Sequence, residues 1–225
     1  MLLLYLLSQN LFMNPFLIII IASNVIFSYK GFNDLSFFRK NEFHIGSIRA
    51  GEQTRMFSSA FLHADWGHLF FNMFTLFMFA PVVISYLGNF SFLLIYLGSL
   101  LCGSLLTLYF HQNDYSYRAI GASGAVTGIL YAAILLNPDM SLYMYFIPIP
   151  IPAYIFGIGY LLYSIYGMKV KNDNIGHTAH FGGAIGGYVI TLIKEPSMLT
   201  ENTLMVILLA IPIVLLLVLS KAGKL

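Results

Sequence analysis

Two residues far apart in the chain, Ser123 and His180, are of types that together perform acyl transfer. A serine hydroxyl is a poor nucleophile until a base takes its proton, and an imidazole with a pKa near about 6.5 can accept that proton and return it to a leaving amine. The oxyanion formed on the way needs donors aimed at it, and loss of one such donor costs about 2.7 to 4 kcal/mol. His68 and Asn72, four residues apart and so on one helical face, offer an imidazole N–H and a carboxamide. Ser123 adds its own backbone N–H if it begins a helix, where those groups lack intrahelical partners. Asp173 is the carboxylate nearest His180 in sequence and falls in the preceding loop, so the pattern predicts a dyad rather than a triad. Each residue alone has a plainer reading, the serine as a packing residue among glycines and the histidines and asparagine as ties between helices.

The elements that must bring these residues together are membrane helices. Of 225 residues 59% are apolar and 9% charged, with a mean hydropathy of +0.81. A soluble domain is about 25% charged, so a water-soluble globule is excluded. A net charge of +2, scattered along the chain, excludes nucleic-acid binding by counterion release. A single Cys102 allows no intrachain disulfide.

Charges are costly near the bilayer centre, so the gaps between them locate the spans. Met1 to Tyr29 is uncharged, and Asn14-Pro15 marks a helix start inside it; the pattern does not read as a cleaved signal peptide. Trp66 to Asn113 is a 48-residue uncharged run, enough for two helices with a break at Gly88-Asn89. Further spans fall over 119–138, over 140–168 starting around Pro148, Pro150 and Pro152, over 174–193, and over 201–221. The organisation is thus an N-terminal segment and first helix (1–29), a long first loop (30–65) with nine of the twenty charges, core helices two to six (66–193), and a C-terminal extra helix (194–225).

Because spans alternate in direction, the second, fourth and sixth open on the same face. His68 and Asn72, Ser123, and His177 and His180 lie in their respective first turns. Gly124-x-x-x-Gly128, Gly182-x-x-x-Gly186 and Gly183-x-x-x-Gly187 let the fourth and sixth helices approach closely. Close approach is what a short serine side chain needs to meet a histidine on another helix, so we infer a Ser123–His180 pair. Metal binding by His63, Asp65, His68 or His177-x-x-His180 is the rival constellation. It lacks a His-Glu-x-x-His motif, a Cys cluster and any acidic residue within a span, so no metal site is expected. A metal-binding transporter would also need polar groups through the full bilayer depth, whereas these cluster at one depth.

The arrangement resembles the rhomboid family of intramembrane serine proteases, over roughly Glu52 to Tyr188. His63-Ala-Asp-Trp-Gly-His68-Leu-Phe-Phe-Asn72 is similar to its His-x4-His-x3-Asn segment, Gly121-Ala-Ser123-Gly124 to its Gly-x-Ser-Gly nucleophile motif, and Ala179-His180-Phe-Gly-Gly183 to its Ala-His-x-x-Gly segment. The resemblance implies Ser123 as nucleophile, His180 as base, and His68, Asn72 and the Ser123 N–H as the oxyanion hole. It implies His63, Arg55, Gly121, Gly124 and Gly183 as structural support. Glu52-x-Thr54-Arg55 resembles the family's Glu-x-Trp-Arg, with Thr54 in the tryptophan's place. Thr127 stands where several bacterial relatives carry a tyrosine that packs on the catalytic imidazole, so stacking on His180 would come from another residue or be absent.

The implied fold is all-α: a polytopic bundle of six helices plus one, with a long, partly embedded first loop. The implied activity is that of a cofactor-free serine endopeptidase cleaving transmembrane segments of other membrane proteins, as a multi-pass protein of a bacterial inner membrane. The bilayer and membrane-protein substrates are the implied partners, with the second and fifth helices and the loop before the sixth as the gate. A catalytically inert relative that binds and routes membrane proteins is the alternative, though such proteins usually lack the Ser or the His. Ten of the eleven basic residues lie on the side of the active-site ends and Lys194 alone on the other. The positive-inside rule makes that side cytoplasmic, whereas the resemblance implies a noncytoplasmic site.

Overall fold

In the computed structural model, which describes residues 14–144, 147–170 and 175–225, the chain is a helical bundle with two short β ladders. Helix α1 (Pro15–Asn33) starts where Asn14 Oδ1 accepts the N–H groups of Phe16 and Leu17 at 3.0 and 3.4 Å, with proline in the first turn, where its missing N–H costs nothing. The Asn14 carboxamide also donates to Asn89 Oδ1 at 2.6 Å, joining this helix to the turn after the second span. The segment before Asn14 lies outside the described residues.

The first loop is built rather than loose. It holds α2 (Leu35–Asn41), β1 (Phe43–His44), α3 (Ile45–Arg49), α4 (Arg55–Ser58) and a 3-10 turn (Ser59–Phe61). Phe43, Ile45 and Ile48 form a small apolar core of their own. Buried Arg55 secures the backbone, donating to the carbonyls of Arg39 (2.6 Å) and Glu42 (3.1 Å) and to Glu52 Oε2 (2.6 Å). The buried Glu42 carboxylate pairs with Arg39 and with Arg118.

Helix α5 (Trp66–His111) covers the second and third spans, and Gly88, at φ 77° and ψ 174°, breaks it into arms over 66–87 and 89–111. That backbone conformation suits glycine alone. Strand β2 (Arg118–Ala119) then pairs antiparallel with β1, tying the first loop to the segment that leads into α6 (Ser123–Leu136).

Helix α6 is shorter than the fourth span expected over 119–138. Its 14 residues rise about 21 Å, against a hydrocarbon core of about 30 Å, and every residue from Gly124 to Leu136 is buried. It sits at the centre of the bundle between α5 and α8 and meets no lipid, so it need not match the bilayer thickness.

The fifth span also differs from expectation. Pro148, Pro150 and Pro152 do not begin it but lie in strand β4 (Ile147–Pro152), which pairs with β3 (Ser141–Met144). Each proline lacks an N–H and disfavours the helical region for the residue before it, so an alternating Ile-Pro run is held extended. Helix α7 starts only afterwards (Ala153–Val170), then α8 (His177–Lys194), the short α9 (Met198–Glu201) and α10 (Thr203–Lys221). Asp173 and Lys171 lie outside the described residues.

Among the described residues, α1, α5 and α10 are long and apolar enough to cross a membrane by length and composition. Their outer faces carry exposed Ile26, Phe71, Phe90, Leu204 and Val218, side chains that only lipid would solvate favourably.

Candidate active site

Helices α6 and α8 touch through backbone. A Cβ on Gly183 or on Gly187 would run into the carbonyl oxygens of Gly124 and Gly128, and one on Gly124 would stand 3.0 Å from the Ala179 oxygen. Only hydrogen side chains permit this approach, which brings the N-terminal turns of the two helices side by side. Ser123 is the first residue of α6, and His180 stands one turn into α8, buried.

Both line a single cleft of about 940 Å³, together with His68, Asn72, Thr127 and Tyr160. The three helix ends that sequence parity puts on one face therefore converge on one cavity. Its lining includes Arg39 and Glu42 from the first loop, Arg118 from β2, and Phe71, Phe156 and Tyr163 from α5 and α7. A second cavity of about 40 Å³ lies on the other side of Ser123, beside Ser59, Gly103 and Ala179, with room for a water molecule.

The approach to Ser123 is shaped by the first loop. Gly121 N–H donates to Ser59 O at 3.0 Å. Gly121 has φ +116°, and an added Cβ would lie 2.8 to 2.9 Å from Cε1 and Nε2 of His68, so both backbone and space demand glycine. The imidazole of His68 thus lies directly over the residue two before the serine. Its Nδ1 accepts the Ala64 N–H at 3.5 Å, which leaves the ring proton on Nε2. Asn72 is buried and spends one carboxamide N–H on His68 O at 3.0 Å, retaining the second.

His63 sits beneath, fully buried, its ring 4.9 Å from that of His68 and edge-on. Its Nε2 accepts the Ala122 N–H at 3.4 Å. Nδ1, 2.8 Å from Ser28 Oγ, then carries the proton and donates to the Ser28 oxygen, whose own proton goes to Phe61 O at 2.9 Å. Both ring nitrogens are thereby engaged in the neutral form. Burial above all, and His68 next, push its pKa down to about 3, against a weaker raising effect of Asp65. Among the described residues no three His, Cys, Asp or Glu side chains gather into a metal-holding group.

Tyr160 is the residue that motif reading misses. From the middle of α7 it stacks on His180, ring centroids 5.3 Å apart at 27°, and its hydroxyl lies 2.8 Å from His180 Nδ1. The stacking partner absent at Thr127 is supplied from the fifth span. Thr127 itself donates to Ser123 O at 2.7 Å. Thr127 was the available signal: with the expected aromatic missing there, a tyrosine on a neighbouring span was to be sought.

Fold and cleft together define a multi-pass helical membrane protein with a cavity among its helices into which serine, histidine and asparagine side chains are gathered. The Rhomboid domain model matches residues 50–197. The chain is 31% identical over 184 residues to RHOMBOID-like protein 12, mitochondrial, of Arabidopsis thaliana, covering 74% of this chain and 54% of that one. It is 30% identical over 154 residues to the putative rhomboid protease YdcA of Bacillus subtilis (65% and 69% covered). It is 34% identical over 144 residues to rhomboid protease GluP of the same organism (63% and 26% covered). The chain belongs to the rhomboid family and is an integral membrane protein. It spans about half the length of the plant relative. The relatives' names point to mitochondria in some cases and the organisms are bacterial in others, so the narrower expectation of a bacterial inner membrane does not follow from them.

Proposed function

We propose that the protein is an intramembrane serine endopeptidase that cleaves transmembrane segments of other membrane proteins through a Ser123–His180 dyad. The observation that carries this reading is the shared cleft, in which a serine at a helix start and a buried histidine from a second helix stand with two candidate oxyanion donors.

In the first half-reaction Ser123 Oγ attacks the scissile carbonyl carbon as its proton passes to His180 Nε2. The oxyanion is met by His68 Nε2–H, by the second N–H of Asn72 and by the backbone N–H groups at the start of α6, with the helix dipole adding to them. The C–N bond breaks as His180 returns the proton to the leaving amine. Water then attacks the ester, His180 again accepts and returns a proton, and the carboxylic product leaves with Ser123 regenerated. Family membership and the protease names of the Bacillus relatives support the reading. A substrate helix must unwind locally to present an extended backbone, so glycine or proline near the scissile bond is the expected substrate feature.

The test is incubation of the purified protein in liposomes with a labelled single-span substrate, comparing wild type with S123A and H180A. Cleavage by wild type alone is expected. Binding of substrate without cleavage by wild type would overturn the proposal in favour of a client-routing role, and cleavage that persists in S123A but stops with a chelator would move it to a metal site.

A further inference from the structure

In a chain only 9% charged, two guanidiniums and two carboxylates line the cleft that holds Ser123: Arg39, Arg118, Glu42 and Asp65. Asp65 belongs to the His68 side, where it caps α5 by accepting the His68 N–H at 2.8 Å. The other three form one cluster. The Glu42 carboxylate, its side chain 3% exposed, accepts from Arg39 Nη1 at 3.3 and 3.2 Å and from Arg118 Nη1. Arg55 bonds the Glu42 backbone carbonyl and pairs with Glu52, so its charge is spent elsewhere. Neutralising Glu42 takes one cation, and Arg39, three residues before it, already supplies it. The β1–β2 ladder already joins the Arg118 segment to the first loop. Arg118 thus brings one positive charge in excess. Each guanidinium has five N–H donors, and among the described residues both give their hydrogen bonds to Glu42 alone, each through one nitrogen. Side chains 56% (Arg39) and 43% (Arg118) exposed leave the remaining donors accessible at the cleft.

Arg118 stands five residues before Ser123, and Ala119 and Ile120 between them line the same cleft. At about 3.3 Å per extended residue its Cα is within about 17 Å of the serine's, a distance that a substrate backbone drawn out alongside covers in about five residues. We propose that Arg118 and Arg39, held in place by Glu42, form a subsite for an acidic side chain of the substrate, aspartate or glutamate, near the scissile bond. The proposal deepens the serine-peptidase reading and rests on it for its consequence in cleavage, though not in binding. A carboxylate accepts two parallel N–H bonds from a guanidinium, and the excess charge selects it over an amide of the same shape. The anchoring carboxylate fixes both forks before the substrate arrives, so less side-chain freedom is lost on binding. Lysine or arginine at the same place in a substrate meets like charge.

The experiment uses a labelled single-span substrate in phosphatidylcholine liposomes, its cut site located by mass spectrometry. Aspartate or asparagine is placed singly at each position up to about five residues on either side of the cut. At one position or two, wild type is expected to cut the aspartate form with kcat/KM about fivefold above the asparagine form, chiefly through KM. High salt should shrink that advantage. The ratio should fall below about twofold in R118Q, which keeps a donor for Glu42, and in R39Q/R118Q. R49Q should retain it, since Arg49 bonds Gln112 O and does not line the cleft. Binding of the same substrate pairs to S123A and to S123A/R118Q, followed by fluorescence anisotropy, reads the subsite without cleavage. Equal treatment of aspartate and asparagine at every position in both assays, or a preference untouched in R39Q/R118Q, would overturn the proposal. So would a loss in R118Q that is the same for every substrate and appears only when phosphatidylglycerol is added, which would assign the arginines to lipid headgroups. If wild type cuts nothing while S123A binds the aspartate form more tightly, the subsite stands and the peptidase reading alone fails.

Discussion

Gly183 on α8 lies against the carbonyl oxygen of Gly124 on α6 so closely that no side-chain atom fits between them. This contact sets the separation of the helices that carry His180 and Ser123. The obstacle is backbone on both sides, so an added methyl cannot be relieved by a rotamer change. Gly183→Ala is therefore expected to destabilise the protein by about 1 to 3 kcal/mol, read as a lowered thermal midpoint in detergent. At temperatures where the variant is still folded, proteolysis should be lost as well, since the helices are pushed apart at the dyad.

His68→Ala and Asn72→Ala should each lower kcat by about 10²- to 10³-fold with KM little changed, the pattern of donors that act on a developing oxyanion. Steady-state cleavage of a single-span substrate measures both. A rise in KM at constant kcat would assign them to substrate binding instead.

His63 gives a pH dependence with a definite sign. Its folded pKa, about 3, lies below the ordinary value of 6.5. Between these values the unfolded chain binds a proton that the folded one refuses, so the contribution is fully present above pH 6.5 and is lost as pH falls toward 3. Thermal midpoints taken from pH 7 to pH 4 should fall less steeply in His63→Gln than in wild type, while the variant is less stable at pH 7 through loss of the Ser28 and Ala122 bonds.

Arg55→Ala should leave the Arg39 and Glu42 carbonyls without their donor and cost about 1.5 to 3 kcal/mol. Lysine cannot reproduce the forked geometry, so Arg55→Lys should recover only part of the loss. Limited proteolysis within the first loop is the measurement, with faster cutting expected in both variants.

Much of this architecture was legible beforehand. Uncharged runs located the spans, and Gly88 was readable as a break because no other residue takes its backbone conformation cheaply. The convergence of Ser123, His180, His68 and Asn72 followed from helix parity and glycine spacing alone. What escaped had a different cause in each case. The true length of α6 depends on its being enclosed by other helices, which hydropathy does not report. The prolines between Ile147 and Pro152 suggest a helix start, although the alternation's period of two belongs to a strand. Tyr160 is one of fifteen tyrosines, twenty residues from His180 on another helix, and no spacing rule links them.

The last helix, α10, sits behind α7. Leu209 reaches the Gly157 position, Tyr131 donates to Gly157 O at 2.9 Å from the other flank, and Tyr188 fastens α8 to α10 through Val206 O at 2.9 Å. The first third of α7 is thus held by α6 and α10, and farther along it Gly167 lies against the ring of His177. Tyr160 follows Gly157 by three residues, so the ring stacked on His180 takes part of its footing from the C-terminal helix, outside the six-helix core.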